Sequence, residues 1–418
     1  MNFNNKKIFS AIFTILFITV IHCFAFHSAV LNAQLQPIFE KNKIGYIDST
    51  GKIIIPCEFV TDINFEAFTI NDKMIIDFRI PSMARFQNGA VTVKIPKKYL
   101  FYTHSFTYAM LDSEGKYIFE PTENMIYGLS EGIAIYKRLF KTIQKVYDFN
   151  FTYIDLNQNF ITAETFSFAG TFNNGLALVI NNSDYKYINR KGKKAFEISV
   201  PKIENKNFSS GLATSKIDSF FENIDTLENF NTKIEMADNF SEGLAAIRVN
   251  SLWGYIDTVG NWTILPTFIS AFPFQNGVAR IFDGQYYSYI NKNGEKITSS
   301  DFAFASDFSD GLGLVKIGEK FGFIDTNGKV VIPLQYIYAQ SFSEGLAVVY
   351  HNGNFVFIDK KGEVVINRRL DFAKGFQFGL AKAWRNDELF YINKKGETVH
   401  QILSRSKYRN QISSFKRN

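Results

Sequence analysis

The sequence predicts an all-β protein: a tandem array of three-stranded β-meander repeats of about 34 residues each, stacked as an open, curved, solenoid-like superhelix, with a β-propeller as the alternative. Three observations predict it. Gly243, Gly277, Gly311, Gly345 and Gly379 each follow the last by 34 residues, in a recurring Phe, polar, polar, Gly, Leu, Ala pattern. Between these glycines lie short runs of β-branched and aromatic residues bounded by Gly, Asn, Asp and Lys, which suit strands and turns. No stretch keeps a 3.6-residue apolar period over three turns, so helices are not expected. A propeller blade commonly has four strands and about 40 to 45 residues, which favours the open array.

Residues 1–33 read as a secretory signal peptide: Lys6 and Lys7 precede an apolar run from Ile8 to Phe26, and Leu31-Asn32-Ala33 offers a cleavage site before Gln34. An uncleaved run of that length would instead anchor the chain in a membrane, the one membrane contact the sequence suggests. Cleavage removes Cys23 and leaves Cys57 as the sole thiol, so an intramolecular disulfide is excluded and packing must carry stability.

Each repeat has three markers. The first is Ala-x-x-Phe-x-x-Gly-Leu-Ala, as in Ala237, Phe240, Gly243, Leu244 and Ala245. Its steps of three suit a single helical or 3₁₀ turn between meanders. The second is an aromatic pair around a small residue, then Ile-Asp-x-x-Gly, as in Trp253-Gly254-Tyr255-Ile256-Asp257 with Gly260. The carboxylate can accept backbone N–H bonds while the glycine takes a positive φ. Such turns place Gly243, Gly260, Gly277, Gly294, Gly311, Gly328, Gly345, Gly362, Gly379 and Gly396 at strand connections. The third marker is an apolar run ending in Pro and an aromatic, as in Ile264-Leu265-Pro266 with Phe268, where proline stops the ladder.

Residues 236–400 hold the regular copies and 34–235 divergent ones with insertions. Gly89, Gly132, Gly175 and Gly211 mark the divergent units; between Gly211 and Gly243 the second marker decays to Asn223-Ile224-Asp225, a candidate bend or partner contact. Residues 401–418 form a basic tail holding Arg405, Lys407, Arg409, Lys416 and Arg417. The chain carries a formal +6; loss of Lys6 and Lys7 leaves +4, the tail alone carries +5, and the repeat body is therefore near −1, which lacks the balance of a nucleic-acid binder.

Trp253-Gly254-Tyr255-Ile256-Asp257-Thr258-Val259-Gly260, with Phe240-Ser241-Glu242-Gly243-Leu244-Ala245 before it and Ile264-Leu265-Pro266 after it, resembles the WG-repeat family of bacterial proteins. The resemblance spans about residues 34–400, though only one copy keeps literal Trp-Gly. It implies an array architecture, a bacterial exported protein and no general activity.

Chemistry is sparse in the sequence. Asp48, Asp112, Asp155, Asp257, Asp325 and Asp359 share one repeat phase with Asn189, Asn291 and Asn393, a substitution that a turn tolerates and a calcium site does not. No zinc spacing, nucleophile elbow or phosphate loop appears. The reading is therefore non-enzymatic, with no catalytic residue, metal or cofactor. Binding falls to aromatics outside the repeat phase: Tyr99, Phe101, Tyr102 and Phe106 in the first insertion, and Trp262 and Trp384. The expectation is an exported scaffold in the periplasm, at the cell surface or outside the cell, holding an envelope protein. The alternatives are a glycan-binding protein and an envelope enzyme with a site built across repeats.

Overall fold

The structure, a computed structural model, describes residues 35–404 apart from 41–42, 61–63, 71–72, 80–83, 97–105, 142–146, 199–233 and 300, together with 406–407 and 409–410. It is all-β: a tandem series of small antiparallel sheets, most of three or four strands, with one six-stranded sheet and one two-stranded hairpin in the N-terminal part, none closed into a barrel among the described residues. Two compact units result. One combines Met1–Phe160 with Ser343–Asn418, and the other is Ile161–Phe342.

The regular repeat is a meander with one addition. In the repeat that begins at Met236, Leu244–Val249, Leu252–Asp257 and Trp262–Phe268 pair in order, and Met236–Ala237 pairs ahead of them. Phe304–Ala305 and Phe372–Ala373 do the same. The first marker is thus a short leading strand rather than the helical turn its spacing suggests. Its backbone finds partners across the sheet, Asp238 N–H donating to the Ala246 carbonyl at 2.9 Å, so a local helical bond is not needed.

The Trp-Gly pair has a packing reason. Trp253 aligns with Phe268 and Tyr255 with Ile264, so a bulge in the third long strand crowds the residue between them. A Cβ on Gly254 would lie 2.5 Å from the Ile264 carbonyl oxygen and 2.6 Å from Pro266 N, which only glycine avoids. The ten marker glycines from Gly243 to Gly396 all have positive φ, from 78° at Gly379 to 92° at Gly260. Asp257 Oδ1 accepts the Val259 and Asn261 N–H groups, and Asn393 Oδ1 accepts those of Lys395 and Glu397. Asp and Asn therefore serve one purpose at this phase.

Aromatic and polar ties join each repeat to the next. Tyr255 is fully buried, meets the Phe274 ring edge-on at 4.8 Å and donates its hydroxyl to the Phe272 carbonyl at 2.7 Å. Tyr289 does the same to Phe308 and Ser306. The residue before the marker glycine adds a second tie. Glu242, itself at φ 52°, accepts the N–H groups of Asn276 at 2.6 Å and Gly277 at 2.9 Å, and Glu344 accepts Gly379 N–H at 3.0 Å. These acids join neighbouring repeats.

Two boundaries differ from the sequence reading. The repeat of Phe168 packs directly on that of Met236: Tyr187 donates to the Asp238 carbonyl, Asn173 to the Phe240 carbonyl at 2.8 Å, and residues of both share one apolar cluster. The unit expected around Gly211 lies outside the described residues, and its flanking repeats contact each other as consecutive ones do. At the far end, Gln401 belongs to the strand Thr398–Leu403, where Leu403 is buried against the last sheet, so the repeats run three residues past 400.

The first unit unites the two ends of the described chain. Tyr391 donates its hydroxyl to Pro37 O, and Gln36 donates to the Gln377 carbonyl. A hairpin inserted after the first repeat, Asn64–Ile70 paired with Lys73–Arg79, packs on the last one: Phe68 meets the Phe372 ring at 5.4 Å, and Lys73 pairs with Asp371.

Candidate functional site

Among the described residues the sequence-proposed aromatics divide. Trp384 is only 1% exposed and packs against Phe372, which removes it as a surface binding residue. On its strand, Ala381–Arg385, the adjacent Ala383 and Trp384 are both buried although they point to opposite faces, so the strand is covered on both sides there. Trp262 is half-buried against the cluster around Leu176 and Tyr187. Phe106 is half-buried with the Lys94 ammonium 4.0 Å from its ring centre. Tyr99, Phe101 and Tyr102 lie outside the described residues.

A different group gathers in the second unit. Arg280 stands on the strand Val278–Phe282, at a phase where other repeats bury Ala246 and Leu314. Its guanidinium lies 3.6 Å from the centre of the Phe272 ring and 5.4 Å from that of Tyr287, and its Nε donates to Asp307 Oδ1 at 3.1 Å. The rings fix the plane of the fork and the carboxylate neutralises it. Asp307 follows the leading strand Phe304–Ala305 of the next repeat. Beside it, Ser306 Oγ donates to the Asp307 carbonyl at 2.9 Å, accepts Leu314 N–H at 3.1 Å, and lies 3.1 Å from Ser341 Oγ. Arg280, Phe304, Ser306, Asp307, Gln275 and Ser341 line a cleft of about 410 Å³. Phe304 is 40% exposed and braced edge-on by Phe321 at 5.9 Å. Arg280 uses only Nε on a protein acceptor among the described residues, which leaves its two terminal nitrogens for a ligand or water.

The first unit has a counterpart whose partners come from the inserted hairpin. Lys382 occupies the same repeat phase as Arg280, lies 3.6 Å from the centre of the Phe78 ring, and donates to Asp77 Oδ1 at 2.7 Å and to the Phe78 carbonyl at 3.2 Å. Lys374 pairs with the other Asp77 oxygen. Burial pushes Lys382 down to about 8 despite the attraction of Asp77, with Lys374 and Arg85 acting in the same direction as burial. Burial alone would raise the Asp77 carboxyl, but Lys382 and Lys374 together hold it below its ordinary value. Here the carboxylate comes from the inserted hairpin, whereas Asp307 comes from the next repeat.

None of these six residues was singled out by sequence. The findable signal was a cation breaking an apolar phase: Arg280 and Lys382 stand where Leu178, Ala246, Leu314 and Val348 are buried. Among the described residues, no three His, Cys, Asp or Glu side chains come together as a metal-holding group.

The WG containing repeat family model matches at residues 44–60, 151–185, 232–253, 253–287, 287–321, 321–355 and 357–383. The chain belongs to the WG-repeat family. These matches follow the geometry above, each covering strands and turns that a WG repeat uses to meet the next. No curated protein matches this WG-repeat chain. Among solved structures it is similar to Hsv2 of Kluyveromyces lactis, at 12% identity over 53% of this chain and 70% of that one, with a TM-score of 0.29. It is also similar to an uncharacterized protein of Listeria monocytogenes, at 10% identity over 80% and 94%, with a TM-score of 0.30. A third is the extracellular domain of a putative hybrid two component system of B. thetaiotaomicron, at 11% identity over 89% and 64%, with a TM-score of 0.23. Superpositions this partial carry no argument about shape or role.

Proposed function

We propose that this WG-repeat protein is a non-enzymatic scaffold, exported to the bacterial envelope, that holds a protein partner through its repeats. The observation that carries the reading is a recurring apolar exposure on the third long strand. Val330 and Val331 are 46% and 40% exposed, and Val364 and Val365, 34 residues on, are 39% and 49% exposed. Each pair sits on a strand that ends its own sheet, Val330–Tyr336 and Val364–Leu370. Isolated exposed valines are ordinary, but the same pair at the same repeat phase gives each unit an apolar strand surface for a partner. Export rests on the basic and apolar start of the chain.

The test is site-specific photo-crosslinking in the native host, with the reactive residue at 331 or 365 and, as control, at the turn residue Lys361. Crosslinks from 331 and 365 to one envelope protein, lost in Val331→Asp and Val365→Asp chains of unchanged Tm, are expected. Crosslinks from all three positions alike, or hydrolysis abolished by a single acidic substitution, would reject the scaffold.

A further inference from the structure

We infer that the cleft between Arg280 and Phe304 is a binding site for a neutral sugar ring. The inference goes beyond the scaffold reading, since it uses none of the valine pairs. It starts from charge. Arg280 and Asp307 neutralise each other at 3.1 Å, so an anion entering the cleft meets the carboxylate and a cation meets the guanidinium. A ligand that carries donors and acceptors on one uncharged frame satisfies both. The terminal nitrogens of Arg280 can donate to ring or hydroxyl oxygens, and Asp307 Oδ2, which has no hydrogen-bond donor among the described residues, can accept a hydroxyl proton.

The second requirement of a sugar is an aromatic face for its C–H side. Phe304 supplies it, exposed at the cleft wall and braced by Phe321. The same leading-strand phase in the last repeat holds Phe372, 4% exposed, with Phe68 of the hairpin resting on it. That repeat's cation, Lys382, is held by Asp77 and Phe78 of the same hairpin. The chain thus covers one aromatic and pairs one cation with its own hairpin, while in the second unit Phe304 stays exposed and Arg280, whose side chain is as shielded as that of Lys382, lines a cleft with no such hairpin partner. The volume of about 410 Å³ admits a single pyranose ring with its first substituents. Ser306 and Ser341 are already engaged with each other and with backbone, so they shape the floor, and specificity falls to Arg280, Asp307, Gln275 and the ring.

The experiment titrates the purified full chain with glucose, galactose, mannose and N-acetylglucosamine, one at a time, followed by saturation-transfer NMR, with sodium acetate and glucuronate as anionic comparisons. One or more of the neutral sugars is expected to bind with a Kd of order millimolar. Phe304→Ala should weaken it about tenfold and Phe304→Tyr should restore it; the ring is at the surface, so Tm should not move. Should Phe304→Ala lower Tm, Asp307→Asn decides the matter by weakening the neutral sugar about fivefold while improving glucuronate. No saturation by any of the four sugars up to about 50 mM overturns the inference, as does binding indifferent to both substitutions. Saturation by acetate or glucuronate alone overturns it in favour of an anion site.

Discussion

The hydroxyl of Tyr391 donates to the carbonyl of Pro37 at 3.0 Å, across 354 residues of sequence. Tyr46, Tyr187, Tyr255 and Tyr289 make the same bond forward, to a carbonyl of the repeat that follows. The last repeat has no successor among the described residues, so its tyrosine uses the first strand, and the first and last described repeats stabilise each other. Tyr391→Phe should lower stability by about 1 kcal/mol, the usual net worth of such a bond. Hydrogen exchange should show residues 36–47 losing protection together with 388–403. Loss confined to 388–403 would mean that the ends do not depend on each other.

The Asp77 cluster should show the asymmetry of a buried ion pair. Asp77 is 4% exposed, so removing it leaves the largely shielded Lys382 without its carboxylate and beside Lys374 and Arg85. Asp77→Ala should cost about 3–5 kcal/mol. Lys382→Met in that background should recover much of the loss, because it removes the orphaned charge. Urea midpoints of the three chains read the coupling directly, and additive losses would refute it.

The same cluster sets a pH dependence. Asp77 has a folded value below its ordinary 3.8, so its contribution is fully present above 3.8 and is lost as pH falls through the folded value. Lys382 sits at about 8 against an ordinary 10.5. Between those values the unfolded chain binds more protons than the folded one, so this lysine makes stability rise with pH from about 8 to 10.5. Lys382→Met should flatten that alkaline rise, and Asp77→Asn should flatten the acid fall, in urea midpoints taken across both windows.

Two glycines should fail for different reasons. Gly345 has φ 89° and no atom within 4 Å of an added Cβ, so Gly345→Val brings strain alone, worth about 1–3 kcal/mol. Gly254→Ala meets backbone at 2.5 Å and must push the third strand away. Exchange protection should fall at Ile264 and Phe268 in the second variant and stay unchanged there in the first.

Excision of 199–233 should be tolerated. Ile198 and Ile234 already lie against one cluster with Tyr187 and Phe240. By repeat phase a single residue spans the gap, as Thr267 does between Pro266 and Phe268. A chain with Ile198 joined to Ile234 through one glycine should keep its Tm within a few degrees of the parent. Collapse of the transition would show that the segment is part of the stack.

What the sequence determined is periodic. The 34-residue spacing of Gly243 to Gly379, the Asp-x-x-Gly turns and the strand-forming runs between them specified an all-β array, because turn conformation and strand pairing in a meander are set by residues a few positions apart. The leading strand was misread as a helical turn because a two-residue strand carries no period of its own. Tertiary structure decided everything that joins residues far apart in sequence. It buried Trp384, paired Arg280 with Asp307 across a repeat boundary, brought Asp77 to Lys382, and led Tyr391 back to Pro37. Such contacts depend on where each repeat leaves the next one's side chains, and no local pattern encodes that geometry.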